Sequence, residues 1–289
     1  MAASGSVRKA KQTRVAPAGG TVRVELDGGI AWVIFNRPEK RNAFSAELGF
    51  EMVKVLDALE GDDRVRVLVF TGAGEAWSAG MDLRDFFRKA DAAPPGEALK
   101  IYRASRDWQW RRLLTYAKPT IAMVNGWTFG GAFTPLVACD IAIAADDAVF
   151  GVSEINWGII PAGVVSRALA GVMNERKALY YIMTGETFTG KEAARLGIVT
   201  ESVPRAKLKA RTVAVARTLI DKNPVVLRQA RDAFKFVKSM HWEEANDYLM
   251  AKSDQARFHD PERGREQGMH QFLDEKSYRP GLSNYRRKR

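Results

Sequence analysis

Apolar and polar positions change period several times along this chain. Residues 21–27, "TVRVELD", alternate at period two, and "GIAWVIFN" (30–37) follows across Asp27-Gly28-Gly29. That spacing predicts a β-hairpin. In "SAELGFEMVKVLDALEG" (45–61), Leu48, Met52, Val55, Leu56 and Leu59 share one face, and Ser45 stands at the N-cap. This stretch is predicted helical. "RVLVFTG" (66–72) reads as a buried strand, and residues 97–117 as a long helix rich in Trp and Arg. Strands are predicted at "KPTIAMV" (118–124) and "DIAIAA" (140–145), with a glycine pair and a helix between them. Short apolar strands alternating with longer helices predict an α/β fold with largely parallel strands. No internal repeat is visible. From about residue 204 the pattern turns helical, over 205–221, 224–238, 241–257 and 261–274. Those helices need a core, a partner subunit or both to bury their apolar faces.

Charge and cysteine content narrow the classes. The 289 residues carry a net charge of +11, but residues 1–14 hold +4 of it and residues 276–289 hold +6, neither with an acid. The 261 residues between carry only +1. The excess sits in tails rather than in a groove, which argues against nucleic acid as a partner. Residues 1–20 are rich in Ala, Gly, Ser, Lys and Arg without periodicity, and are expected to be a disordered basic extension. The single cysteine, Cys139, lies in an apolar run and cannot form an internal disulfide, so a cytoplasmic location is expected. No stretch approaches ~18 apolar residues, and the basic N-terminus lacks the apolar region of a secretory signal.

Three stretches carry candidate chemistry. In "NGWTFGGAFTPLVACD" (125–140), Gly130 and Gly131 stand where a strand opens into a helix. Paired glycines there serve close backbone packing, or they present bare N–H groups to developing negative charge. In "EAWSAGMDLRDFF" (75–87), Ala79-Gly80-Met81 lead into a helix beginning near Asp82. Two such helix starts aimed at one point would supply two N–H donors, the pair a thioester oxygen needs as it becomes an enolate. In "FGVSEINWGIIPAGVVSRAL" (150–169), Glu154 is the only acid. Burial would raise its pKa toward that of a general base; the alternatives are an edge-exposed Glu or a partner for Arg167.

Taken together, "NRPEKRNA" (36–43), "AWSAGMDL" (76–83), "NGWTFGGAF" (125–133), "ACDIAIAADDAVFG" (138–151) and "SEINWGIIP" (153–161) resemble the crotonase (enoyl-CoA hydratase/isomerase) superfamily in order and spacing. The resemblance covers residues 21 to about 275. It implies a ββα spiral core over 21–204, a helical oligomerisation section over 205–275 and a basic tail over 276–289, in a trimer or a dimer of trimers. It implies an oxyanion hole from the N–H groups of Met81 and Gly131, with Glu154 as the acid–base. Lys40, Ala79, Gly80, Asp82, Leu83 and Arg84 would hold coenzyme A, which is part of the substrate; no metal or prosthetic group is implied. Phe86, Gly130, Ala132, Phe133, Thr134, Trp157 and Met250 would surround the acyl group.

Within the superfamily, "GAGEAWSAGMDL", "FTPLVACD", "LYYIMTGETF" and "REQGMHQFLDEKSYRPGL" look most like the hydroxycinnamoyl-CoA hydratase-lyases. Those enzymes hydrate a cinnamoyl-type thioester and cleave the adduct to an aromatic aldehyde and acetyl-CoA. Typical hydratases carry a further glutamate where Thr134 stands here. The lyases place tyrosines where this chain has Phe86 and Met250, so an apolar distal pocket is expected, with Tyr102, Tyr116 or Tyr248 as replacements if the phenol is still recognised. The competing expectations are plain hydration or isomerisation of another acyl-CoA, and an RNA-binding scaffold that uses the tails.

Overall fold

The computed structural model describes residues 20–287, together with the backbone of Thr13–Arg14. Most of the expected basic extension therefore lies outside the described residues. The chain divides into two compact units, Met1–Ala216 and Arg217–Arg289.

The first unit is built on two sheets. The larger runs β1 (Thr13–Arg14), β2 (Val22–Asp27), β3 (Ile30–Phe35), β4 (Val67–Gly72), β6 (Thr120–Val124), β8 (Ile141–Ala145) and β11 (Glu201–Val203), in that order. The hairpin β2–β3 is antiparallel, paired from Val22↔Phe35 to Asp27↔Ile30. Its turn uses Gly28 and Gly29 at positive φ, as a tight hairpin requires. From β3 onward the pairing is parallel, with Ile30↔Val67, Leu68↔Thr120, Ile121↔Ile141 and Glu201↔Ile143 in register. Strands β3, β4 and β6 are buried throughout, as parallel strands covered on both faces must be.

The smaller sheet is made of three-residue strands. It runs β10 (Thr187–Thr189), β9 (Val149–Gly151), β7 (Trp127–Phe129) and β5 (Ala76–Ser78), with β5, β7 and β9 parallel. A long strand of the first sheet is followed each time by a short strand of the second and then by a helical turn. This ββα unit occurs three times, at β4–β5, β6–β7 and β8–β9, without a sequence repeat to announce it.

Asparagines stitch the corners between units. Asn125 Nδ2 donates to the carbonyls of Gly72 and Gly74, both at 3.0 Å. Asn42 Nδ2 donates to Ala73 O at 2.9 Å and Ala76 O at 2.8 Å.

Helix α1 (Ala46–Glu60) buries Leu48, Met52, Val55, Leu56 and Leu59, and Ser45 Oγ accepts from Leu48 N at 3.1 Å. Helix α2 (Pro95–Arg106) continues through a wide turn at Asp107–Arg111 to Thr115. It lies between the first and second ββα units.

The second unit holds helices Pro224–Val237, Trp242–His259 and Gly264–Met269. Asn223 caps the first of these, accepting from Val225 N and Val226 N, and donates to Asp260 Oδ1 at 2.9 Å. The side chain of Arg287, in the basic tail, is 7% exposed: it pairs with Glu262 and donates to Lys222 O at 2.7 Å. Phe234, Trp242 and Phe258 are exposed in the single chain.

Candidate active site

The three parallel strands of the small sheet end side by side. Met81 follows β5 by three residues, Gly130 follows β7 directly, and Glu154 follows β9 by three. Three positions far apart in sequence thus reach one end of one sheet, where parallel α/β sheets place ligands.

Around Met81 the backbone is clipped to Phe44. Phe44 N donates to Gly80 O at 2.7 Å, and Asp82 N donates to Phe44 O at 3.1 Å. The Met81 N–H between them donates to no protein acceptor among the described residues. The helical turn beyond is capped by Asp82, which accepts from Arg84 N at 3.0 Å and Asp85 N at 2.8 Å. Arg37 holds that cap through bonds to Asp82 (2.8 Å), Asp85 (2.7 Å) and Ala43 O (2.6 Å). Burial alone would raise the Asp82 pKa, but the donors from Asp85 N and Arg37 hold it below the usual carboxylate range. Arg37 is therefore a buried clamp rather than a solvated turn residue, and the Asp82 carboxylate is committed to the protein.

Beyond β7, Gly130 (φ +50°) and Gly131 form a tight 3-10 turn leading into helix α3 (Phe133–Ala138). A Cβ on Gly131 would lie 2.7 Å from Met81 Cγ and 3.3 Å from Met81 N. A Cβ on Gly130 would lie 3.2 Å from Glu154 Oε1, and one on Gly80 would lie 3.0 Å from Gly131 N. The glycines are required because two chain crossings and a carboxylate converge here. The same convergence brings the Met81 and Gly131 N–H groups together, so the packing and donor readings describe one geometry. The Gly131 N–H also lacks a protein acceptor among the described residues.

Glu154 opens a short turn, Glu154–Trp157. Its Oε2 is buried and without a hydrogen-bond partner. Burial raises its pKa above the ordinary 4.5, against a smaller opposing effect of its own backbone N–H. No ion pair joins it to Arg167 or to another cation among the described residues.

These groups open on a cavity of about 1320 Å³. Of the residues expected at the site, Lys40, Ala79, Met81, Asp82, Leu83, Phe86, Gly130, Gly131, Glu154 and Trp157 line it. Gly80 and Arg84 do not. Ala132, Phe133 and Thr134, expected around the acyl group, are corrected to the wall behind it, because α3 runs into the core. Phe133 packs near Phe150 and Phe188, and Thr134 Oγ1 donates to Gly163 O at 3.2 Å. Met250 and Tyr248 belong to the second unit.

Other wall residues, Tyr102 excepted, carried no signal of the cavity in the sequence. Arg41 stacks its guanidinium 4.8 Å from the Trp127 ring centroid beside Lys40. One face of the helical run from α2 contributes Tyr102, Ser105, Arg106 and Gln109. Their spacing of three, four and seven was visible in the sequence; the cavity they face was not. Tyr102 meets Phe86 edge-on at 5.4 Å, whereas Tyr116 is buried and donates to Leu56 O at 2.7 Å. The wall around Phe86 is thus not uniformly apolar. No group of metal-ligating side chains gathers among the described residues.

A parallel-stranded spiral of ββα units, with two free N–H groups and a half-buried carboxylate at one sheet end, defines a class. Residues 25–279 match the enoyl-CoA hydratase/isomerase family, and the chain belongs to it. The family acts on CoA thioesters.

Among its relatives, the hydroxycinnamoyl-CoA hydratase-lyase of Pseudomonas fluorescens is 59% identical over 267 residues, 92% of this chain and 97% of that protein. The carnitinyl-CoA dehydratase of Escherichia coli strain K12 is 33% identical over 232 residues, 79% of this chain and 85% of that one. The solved enoyl-CoA hydratase of Shewanella pealeana superposes with a TM-score of 0.77 at 26% identity, covering 88% of this chain and 94% of its own.

Proposed function

We propose that this chain is a hydratase-lyase that adds water to a cinnamoyl-type CoA thioester and cleaves the adduct to an aromatic aldehyde and acetyl-CoA. The observation that carries the reading is the carboxylate of Glu154, whose Oε2 is buried and unpaired, beside Gly130 and the two free N–H groups. The 59% identity to the Pseudomonas enzyme supports the substrate class.

The thioester oxygen accepts from Met81 N–H and Gly131 N–H. Glu154 removes a proton from water as the water oxygen bonds to Cβ, and the electron pair of the double bond moves onto the acyl oxygen as an enolate. The protonated Glu154 returns its proton to Cα, giving the β-hydroxy thioester. Glu154 then takes the β-hydroxyl proton, the Cα–Cβ bond breaks, and the aldehyde leaves. The acetyl-CoA enolate takes the proton back at its α-carbon. Negative charge develops on the same oxygen in both halves, so one fixed pair of donors serves both. One carboxylate is enough because it is regenerated after each half. Thr134, bonded to Gly163 O, supplies no second acid.

Lys40 and the backbone of 79–83 would receive the coenzyme A moiety, and Phe86 and Trp157 the ring. We place the enzyme in the cytoplasm, in keeping with its lone free cysteine. No described helix is long and apolar enough to cross a membrane. We also propose a trimer or a dimer of trimers, since Phe234, Trp242 and Phe258 are left exposed in the single chain.

The test is incubation with 4-coumaroyl-CoA and feruloyl-CoA, measuring acetyl-CoA and aldehyde. Both products in equal amounts are expected. Hydration without aldehyde would reduce the reading to a plain hydratase.

A further inference from the structure

Within the cavity wall, two polar side chains are left half-used. Ser105 and Gln109 stand one turn apart on the same helical run, and both line the cavity while being 8% and 5% exposed. Gln109 Nε2 donates to Ser105 Oγ at 2.8 Å and lies 3.4 Å from Met81 Sδ. Among the described residues, nothing donates to the Gln109 carbonyl oxygen and nothing accepts the Ser105 hydroxyl proton. The surroundings are apolar: Met81 and Phe87 pack on a cluster of Ala46, Phe86, Ala90 and Ile101. Polar groups in such a setting are ordinarily paired, so an unfilled donor and acceptor side by side ask for a ligand atom that is both.

We propose that Ser105 and Gln109 form the subsite that recognises a ring hydroxyl of the substrate. This rests on the cinnamoyl-CoA reading and names the group that sets its specificity. A phenol donates one hydrogen bond and accepts another. Here its proton goes to Gln109 Oε1 and its oxygen accepts from Ser105 Oγ. Turning the amide over changes the partners but not the count, since the amide nitrogen then donates and Ser105 Oγ accepts.

The reach sets a limit. A methionine side chain spans roughly 5 Å from N to Sδ, so the Gln109 amide lies no more than roughly 8 Å from the Met81 N–H. With a hydrogen bond's length added, a para oxygen roughly 10 Å from that N–H, where a cinnamoyl group held by its carbonyl would place it, is within range. Phe86 lacks a hydroxyl, so recognition moves from its position to the neighbouring helical face. A methoxy group accepts but cannot donate, and leaves Gln109 Oε1 unpaired.

The test compares 4-coumaroyl-CoA, 4-methoxycinnamoyl-CoA and cinnamoyl-CoA in the wild type, Ser105→Ala and Gln109→Leu. The wild type should favour the 4-hydroxy substrate over the 4-methoxy one by about tenfold or more in kcat/KM, and each variant should lower that ratio by about tenfold. Cinnamoyl-CoA, which carries no ring hydroxyl, is the internal reference: each variant should lose about tenfold more on the 4-hydroxy substrate than on it, and thermal unfolding reports the intact fold. Recognition is also read without turnover, as the Kd of 4-coumaroyl-CoA and cinnamoyl-CoA for Glu154→Gln with and without Ser105→Ala. Equal Kd values for the two ligands, or a hydroxyl preference unmoved in both variants, would overturn the subsite. Absence of aldehyde from every substrate would instead overturn the lyase reading, and the Kd comparison would still decide the subsite.

Discussion

Replacing Glu154 by Gln separates chemistry from stability, because the same carboxylate does opposite things to each. Its Oε2 is buried and unpaired, and burial raises its pKa above 4.5. An unsatisfied buried polar group costs about 1–3 kcal/mol, more when charged. The amide is neutral, so the variant should recover part of that cost, about 1 kcal/mol, or roughly 2–4 °C in Tm for a chain of this size. The sign with pH follows. The folded pKa is raised, so the wild type bears no penalty below the ordinary 4.5, and the penalty builds as pH rises through the folded value. The variant should therefore be the more stable protein at pH 7.5, and the gap should close as pH falls toward 4. Turnover, read as acetyl-CoA release, should fall by at least ~10²-fold with coenzyme A binding retained. Thermal scans at several pH values and steady-state kinetics measure both arms. Near-wild-type turnover would refute the single-carboxylate mechanism. A variant less stable at pH 7.5, or a gap independent of pH, would refute the account of the buried oxygen.

Other outcomes follow from the same geometry. Gly131→Ala would drive a methyl into Met81 Cγ and displace the paired donors; kcat should fall by about 10²–10³-fold while the protein still folds. Arg37→Met leaves Asp82 buried without its cation and should cost roughly 3 kcal/mol, seen as a lowered Tm with a raised KM as the 83–88 turn loosens. Light scattering at micromolar concentration should give the mass of three or six chains; a monomer would contradict the role assigned to the exposed aromatics of the second unit.

The sequence carried the large elements because their signals are long. The alternation of β2, the Ser45 cap and the five-residue apolar face of α1 are all as the spacing predicts. The small sheet escaped, since three-residue strands are too short to show a period of two, and Ala76–Ser78 reads as loop. The role of Arg37 is hidden for a related reason: its neighbours Lys40 and Arg41 make the stretch look like a solvated turn, and the two aspartates it pairs with lie 45 and 48 residues away. Gly130, Gly131 and Glu154 stood out as residue types, but their convergence needed the register of β5, β7 and β9. Ala132, Phe133 and Thr134, which the resemblance places around the acyl group, are buried behind the cavity wall because α3 runs inward directly after the glycines.

The division of labour within the cavity follows from the topology. The residues proposed for the chemistry, Met81, Gly131 and Glu154, sit at equivalent ends of three repeated units, and their spacing is fixed by hydrogen bonding between adjacent strands. A shift in any one strand would move its group relative to both others, which leaves little freedom at that end. Tyr102, Ser105 and Gln109 lie instead on a helical run inserted between the first two units, which packs on α1 and through Trp108 on Phe35 and Phe44, and touches Met81 and Phe86. Side chains on that run can change without altering strand register. The wall beside Met81 can therefore change its side chains while the two N–H groups and the Glu154 carboxylate proposed for the chemistry stay in place.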